Sequence, residues 1–166
     1  MSSQEIIEVY TDGASLGNPG PGGYGVIMRY KQHEKEFSKG FRLTTNNRME
    51  LLAVIEALKQ IKGSGWQVVV YSDSQYVVNA IEKGWLKKWQ QRGFKNTANA
   101  DLWKQLLPLL QKHRVRFVWV KGHAGHAENE RCDCLAVQAA QHGALHIDHA
   151  YEATIHEHNA KKPSKE

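Results

Sequence analysis

The sequence predicts an α/β fold in which a mixed sheet is flanked by helices. Three observations carry that reading. Strand-like segments fill the chain up to Leu43, the apolar spacing then switches to the helical period, and strands and helices alternate from there on. Ile6–Thr11 is rich in β-branched and aromatic residues, and Asp12-Gly13 closes it. The loop Leu16-Gly17-Asn18-Pro19-Gly20-Pro21-Gly22-Gly23 breaks both periods. Tyr24–Tyr30 follows as a second strand, and His33–Leu43 as a third that alternates Phe37 and Phe41 with Lys35 and Lys39. Connections this short favour antiparallel neighbours. Leu51, Val54, Ile55, Leu58 and Ile61 then share one helical face, which Lys62-Gly63 ends. A buried-looking strand, Val68–Ser72, precedes helical segments and a helix near Asp101–His113. The last strand is Val115–Val120, and the last helix carries Cys132, Leu135, Ala136, Ala139 and Ala140 on one stripe. The order β-β-β-α-β-α-β-α implies parallel crossovers wherever a helix intervenes.

A length of 166 residues suits one domain. Hydrophobic residues at 41% and charged residues at 23% are ordinary globular proportions, which sets aside collagen-like, disordered and disulfide-framework chains. No apolar run approaches the roughly 20 residues that span a bilayer, so no membrane partner is expected. Met1-Ser2-Ser3-Gln4-Glu5 has neither a basic nor an apolar leader character, and Cys132 and Cys134 lie too close together to staple anything. A reducing, cytoplasmic compartment is the simplest expectation. Residues 1–143 form the expected folded body. Residues 144–166 carry His146, His149, His156 and His158 at spacings that match no ligand pattern, and they are expected to be a loosely ordered tail.

The net charge of +5 permits an anionic partner, and its distribution says more than its sum. Between Lys83 and Lys95, the basic residues Lys83, Lys87, Lys88, Arg92 and Lys95 interleave with Trp85, Trp89 and Phe94, and no acid falls after Lys83. That alternation suits a phosphate backbone with rings lying against bases or sugars. It equally describes an amphipathic helix with tryptophans in the core and solvated lysines.

The acidic residues narrow the chemistry. Asp12 follows the first strand and Asp73 the fourth, in Tyr71-Ser72-Asp73-Ser74. Sites in open sheets form outside the carboxyl ends of parallel strands, and neighbouring strand ends lie about 5 Å apart. Either residue alone is an ordinary turn former or helix cap; two at equivalent ends are harder to dismiss. Asn47 and Glu50 have capping-box spacing, so capping is the first reading of Glu50. Asp133 lies at the margin of the last helix's apolar stripe, where a half-buried carboxylate needs a partner. Zinc on His123, His126, Cys132 and Cys134 fits poorly, because the two cysteines lie about 200° apart around a helix. Converging carboxylates without thiolates select Mg²⁺ or Mn²⁺, and two such ions about 3.5–4 Å apart serve phosphodiester hydrolysis.

Tyr10-Thr11-Asp12-Gly13, Leu16–Gly25, Thr44–Glu50, Ser72-Asp73-Ser74-Gln75-Tyr76 and Val120–Asp133 together resemble bacterial type 1 ribonuclease H from about Glu5 to Gln141. The resemblance implies a five-stranded mixed sheet flanked by helices and endonucleolytic hydrolysis of the RNA strand of RNA–DNA hybrids, by one monomer. It implies that Asp12, Glu50, Asp73 and Asp133 are catalytic metal ligands, replacing the capping role of Glu50. His123 is implied as a proton-transfer or product-release group, and His126 as structural. Gly13, Asn18, Asn46, Asn47 and Gln75 are implied to read the hybrid, the RNA strand through its 2′-hydroxyls, with Thr45 at a DNA-phosphate pocket. The stretch holding Trp85, Lys87, Lys88, Trp89, Arg92 and Lys95 is similar to the family's basic protrusion, departing from it at Gln90-Gln91. A catalytically silent binding module, or another nuclease of the same fold, is the competing reading.

Overall fold

The computed structural model describes residues 5–122, 126–143 and 145–161. β1 (Ile6–Ser15), β2 (Gly20–Tyr30) and β3 (His33–Thr44) form the antiparallel meander expected from their alternation. α1 (Asn46–Lys59) leads to β4 (Gln67–Ser72), and α2 (Gln75–Glu82), α3 (Trp85–Gln91) and α4 (Ala100–Lys112) lead to β5 (Arg114–Trp119). α5 (Ala127–His142), β6 (Leu145–His146) and α6 (His149–Lys161) complete the described chain. The strand order is β5-β4-β1-β2-β3-β6, with β4 parallel to both β1 and β5.

The expected mixed sheet flanked by helices is present, with six strands among the described residues in place of the expected five. β6 contributes two residues, pairing Gly40 with Leu145 and Phe41 with His146. A two-residue strand carries no alternation to read. Within residues 144–166, the stretch expected to be a loosely ordered tail, α6 runs from His149 to Lys161. Its ties are polar: Arg42 donates to both Glu152 oxygens at 2.9 and 2.8 Å, and Asp148 is buried.

Helices cover both faces of the sheet. Gly22 of β2 faces Met49 of α1, whereas the next residue, Gly23, faces Ala136, Ala139 and Ala140 of α5. A methyl group on Gly23 would collide with the Ala136 carbonyl, so its absence lets α5 lie directly on the strands. Val9, Val26, Val54, Ile55, Leu58, Trp103 and Leu106 are fully buried between sheet, α1 and α4. Each such aliphatic side chain contributes about 1.5–3 kcal/mol by leaving water.

The β1–β4 register fixes the edge that matters. Tyr10 pairs with Tyr71, the last pair of this parallel ladder, so Asp12 and Asp73 each sit two residues beyond it. Equal offset from one pair puts both side chains on the same face, about one strand spacing apart.

Candidate active site

α1 brings a third acid to this edge. Its N-cap is Thr45, whose Oγ1 accepts from the Arg48 amide at 3.3 Å, so Asn47 and Glu50 do not form the capping pair their spacing suggested. Glu50 is thereby released to point at the sheet edge. Gly13 makes room, since a methyl group there would strike the backbone of Met49 and Glu50. Asp73 is likewise free of capping, because Ser74 caps α2 by accepting from the Val77 amide at 3.2 Å.

Asp12, Glu50 and Asp73 each place a carboxylate oxygen within 4.8 Å of the others. Asp12 and Glu50 are buried, and among the described residues Glu50 Oε2 has no hydrogen-bond partner. Burial pushes the Asp12 carboxyl up to about 8, with a hydrogen bond from Glu50 pulling it down and the charges of Asp73 and Asp133 pushing it up. Burial and the neighbouring Asp12 push Glu50 well above its usual range. An all-oxygen donor set, an unpartnered buried oxygen and carboxyls in need of positive charge fit a divalent cation.

A cavity of about 350 Å³ opens over the cluster, and Asp133 stands in its wall with Gly13, Asn46, Lys121, His126 and Asn129. Asp133 therefore joins the site from α5 without belonging to the tight three-carboxylate group. Arg131 is not its partner, because that guanidinium donates to Glu36 at 2.8 and 3.3 Å. His126, expected to be structural, lines the cavity at the N-terminus of α5, whereas His123 lies outside the described residues. Cys132 does not serve zinc: burial pushes its thiol up to about 12, and its Sγ donates to the Tyr10 carbonyl at 3.3 Å.

The remaining predicted binding residues divide by place. Asn46 and Asn47 open α1 and Gln75 opens α2. Asn18 Oδ1 accepts from the Asn46 amide at 3.1 Å, which ties the Gly-Pro loop to the start of α1. Lys87, Lys88, Arg92 and Lys95 are exposed on and after α3, and among the described residues none of them is in an ion pair. The two tryptophans separate: Trp85 is exposed, whereas Trp89 turns inward onto Trp103 at 5.3 Å between ring centroids. Sequence reasoning missed Asn129, whose Nδ2 donates to the Tyr71 carbonyl at 3.3 Å while its buried Oδ1 has no partner among the described residues. It also missed the pairing of Arg48 with Asp101 and Asp148. Neither has a local signal, since their partners lie far along the chain.

A mixed sheet with acids at two parallel strand ends, joined by an acid from the covering helix, defines an α/β protein with a carboxylate cluster that fits a divalent cation. Residues 4–141 match the RNase H family. Ribonuclease H from Desulforamulus reducens is 60% identical over 147 residues, covering 86% of this chain and 92% of the relative. A crystal structure of a type 1 RNase H with the type 2 active-site motif is 34% identical, with a TM-score of 0.73, over 97% of this chain and 87% of that one. An RNase H1 solved in complex with RNA/DNA hybrid is 26% identical, with a TM-score of 0.62, over 81% of this chain and 96% of that one. The chain belongs to the RNase H family. Among its described residues no helix is long and apolar enough to cross a membrane.

Proposed function

We propose that the chain is an endoribonuclease that hydrolyses the RNA strand of RNA–DNA hybrids, acting as a monomer with Mg²⁺, for which Mn²⁺ can substitute. The observation that carries this reading is the convergence of Asp12, Glu50 and Asp73 within 4.8 Å under a cavity whose wall includes Asp133. These four residues would hold the cation. When bound, Mg²⁺ would supply water activation and charge neutralisation at the leaving oxygen, tasks that two ions would share. Water adds to phosphorus and the bond to the 3′-oxygen breaks, leaving 5′-phosphate and 3′-hydroxyl ends.

The chain's own groups suit the substrate. Thr45 Oγ1 accepts from Arg48, which leaves its O–H to donate to a phosphate oxygen. Asn18 uses its Oδ1 on Asn46 and keeps its amide donors for the hybrid. Gly13 and Asn46 line the cavity over the carboxylates, with Asn47 following in α1 and Gln75 opening α2, where 2′-hydroxyls would be read. Trp85, Lys87, Lys88, Arg92 and Lys95 would lie along the DNA strand, with Trp89 bracing α3 from beneath. His123 would move a proton or release product. The free thiols Cys132 and Cys134 suit the cytoplasm.

The test is incubation with end-labelled RNA in a hybrid, in single-stranded form and in an RNA duplex, with Mg²⁺ or with a chelator. Cleavage of the hybrid alone, and only with the metal, is expected. Equal cleavage of single-stranded RNA, or no cleavage of the hybrid, would overturn the reading.

A further inference from the structure

Behind the hybrid-reading face lies a buried ion cluster that the proposed chemistry does not use. Arg48 directs its guanidinium away from the carboxylates, and its side chain is 5% exposed. Nε donates to Asp148 Oδ2 at 2.7 Å and Nη2 to Asp148 Oδ1 at 3.0 Å. Nη1 and Nη2 also donate to the two oxygens of Asp101, at 2.9 and 2.8 Å, and Nη1 to Asn99 Oδ1 at 3.4 Å. Five donors thus meet five acceptor contacts from two distant segments.

Asp148 does more than neutralise Arg48. Its Oδ2 also accepts from Thr44 Oγ1 at 2.8 Å, and its Oδ1 from the Tyr151 amide at 3.3 Å. Thr44 and Arg48 stand on either side of Thr45, Asn46 and Asn47. One carboxylate oxygen therefore pins both ends of the turn that carries these three residues. On the other side, Asn99 Nδ2 donates to the Tyr76 hydroxyl at 3.1 Å, and Tyr76 adjoins Gln75. The same hydroxyl accepts from Trp103 Nε1 at 2.9 Å, and Trp103 carries Trp89 of α3. Polar contacts thus run from the C-terminal segment to the Thr45–Asn47 turn and to Tyr76 beside Gln75, and the packing of Trp103 on Trp89 extends them to α3.

We propose that Asp148 is a positioning residue for hybrid binding: through Thr44 and Arg48 it fixes the Thr45–Asn47 turn relative to α2 and α3. This rests on the hybrid-cleaving function proposed above. Asp148 touches none of the carboxylates, so its loss acts on substrate affinity and not on the chemical step. Phosphate and sugar contacts set the register of a nucleic acid on a protein, and a turn free to shift loses that register.

The test compares steady-state kinetics, and binding of a labelled hybrid by fluorescence anisotropy in an Asp12→Asn background, for the full chain and its variants. Asp148→Asn should raise KM and the dissociation constant about tenfold with kcat within about twofold. Thr44→Val, which removes only the hydroxyl, should move both constants the same way by a smaller factor, and Thr44→Ser should restore them. Arg42→Ala, which cuts the other tie of α6 and leaves the turn alone, should leave KM within about twofold. Should Asp148→Asn fail to fold, the Thr44 pair decides the matter. A lowered Tm with unchanged KM and affinity in Asp148→Asn and Thr44→Val would make the cluster purely structural and overturn the proposal. A wild-type chain that neither binds nor cuts hybrid would remove the underlying function instead, a result visible before any variant is made.

Discussion

Two buried charge clusters start two residues apart on α1, at Arg48 and Glu50, about 200° apart around the helix. The Arg48 cluster is closed, with an acceptor for every guanidinium N–H. Burial works against its guanidinium, and the hydrogen bonds with Asp101 and Asp148 outweigh that, holding Arg48 charged. The Glu50 cluster is open: among the described residues its three carboxylates make no ion pair and Glu50 Oε2 has no partner. Leaving a buried polar group unpaired costs about 1–3 kcal/mol, and unpaired charges cost more. A chain that closes one cluster completely and leaves its neighbour open on the same helical turn keeps the second for a partner from outside. The contrast is between a cluster that satisfies itself within the chain and one whose carboxylates fit a cation.

The sharpest way to break it is Asp12→Asn. The amide keeps the shape and removes one charge, so hydrolysis of hybrid should fall by about 10³-fold or more, since several kcal/mol of metal-based stabilisation is at stake at about 1.4 kcal/mol per factor of ten. Thermal stability should hold or rise, because the amide carries no cost of ionising a buried carboxyl beside Glu50 and Asp73. Retention of a tenth of wild-type turnover would remove Asp12 from the metal site.

Arg48→Ala should behave in the opposite sense. Removing one partner of a buried pair leaves the other uncompensated, which costs about 3–5 kcal/mol. The lower end applies here, because the Asp101 side chain is 37% exposed and water relieves part of its loss. Urea unfolding of the two variants side by side measures the contrast directly. Equal stabilities for Asp12→Asn and Arg48→Ala would mean that the clusters do not differ as their geometry implies.

What was legible in the sequence follows the same division. The β1–β3 meander and the apolar face of α1 were readable because strand and helix periods are local. Asp12 and Asp73 were readable because strand ends are, and a parallel register then joined them. Glu50 was obscured by a capping pattern with Asn47 that the Thr45 cap displaces, so only the family resemblance recovered it. Asp133 was legible as a carboxylate at the rim of an apolar stripe. The tail was not legible at all: α6 lacks an apolar stripe, and Asp148 finds its partner 100 positions away in Arg48. The ambiguity of the basic-aromatic stretch resolved residue by residue, with Trp89 inward and Trp85 and the cations outward.

Those cations form a third class, neither buried nor paired, and they sharpen the comparison from the surface side. Replacing Lys87, Lys88, Arg92 and Lys95 with alanine should weaken hybrid binding by about 10–10²-fold at low salt and leave kcat nearly unchanged. Each lost phosphate contact flattens the log–log salt dependence by about 0.7–0.9, so four should flatten it by roughly 3. Stability should change little, as exposed charges contribute little. A salt slope equal to that of the wild type would reduce α3 to a solvated helix face.

The smallest effect tests the open cluster through pH. The Asp12 carboxyl moves from 3.8 to about 8 on folding, and Glu50 moves in the same direction. Between those values the folded chain binds more protons than the unfolded chain, so the stability contributed by this pair falls as pH rises from about 4 to 8. The carboxyls lowered by ion pairs, Asp101 among them, act in the other sense, but their contribution is complete above about pH 5. His113, lowered from 6.5 by burial, also gains stability with rising pH, so it partly masks the trend. Subtracting the Asp12→Asn curve from the wild-type curve removes both backgrounds. In chelator, the difference in Tm should shift against the wild type by a few degrees across this window. Adding Mg²⁺ at about ten times its dissociation constant should contribute about 1.4 kcal/mol, roughly 3–6 °C, to the wild type at pH 8 and far less to the variant. The gain should shrink at pH 5, where protons compete for the same oxygens. A difference curve flat in pH, with or without Mg²⁺, would show that Asp12 and Glu50 are not the shared, cation-seeking pair their burial makes them.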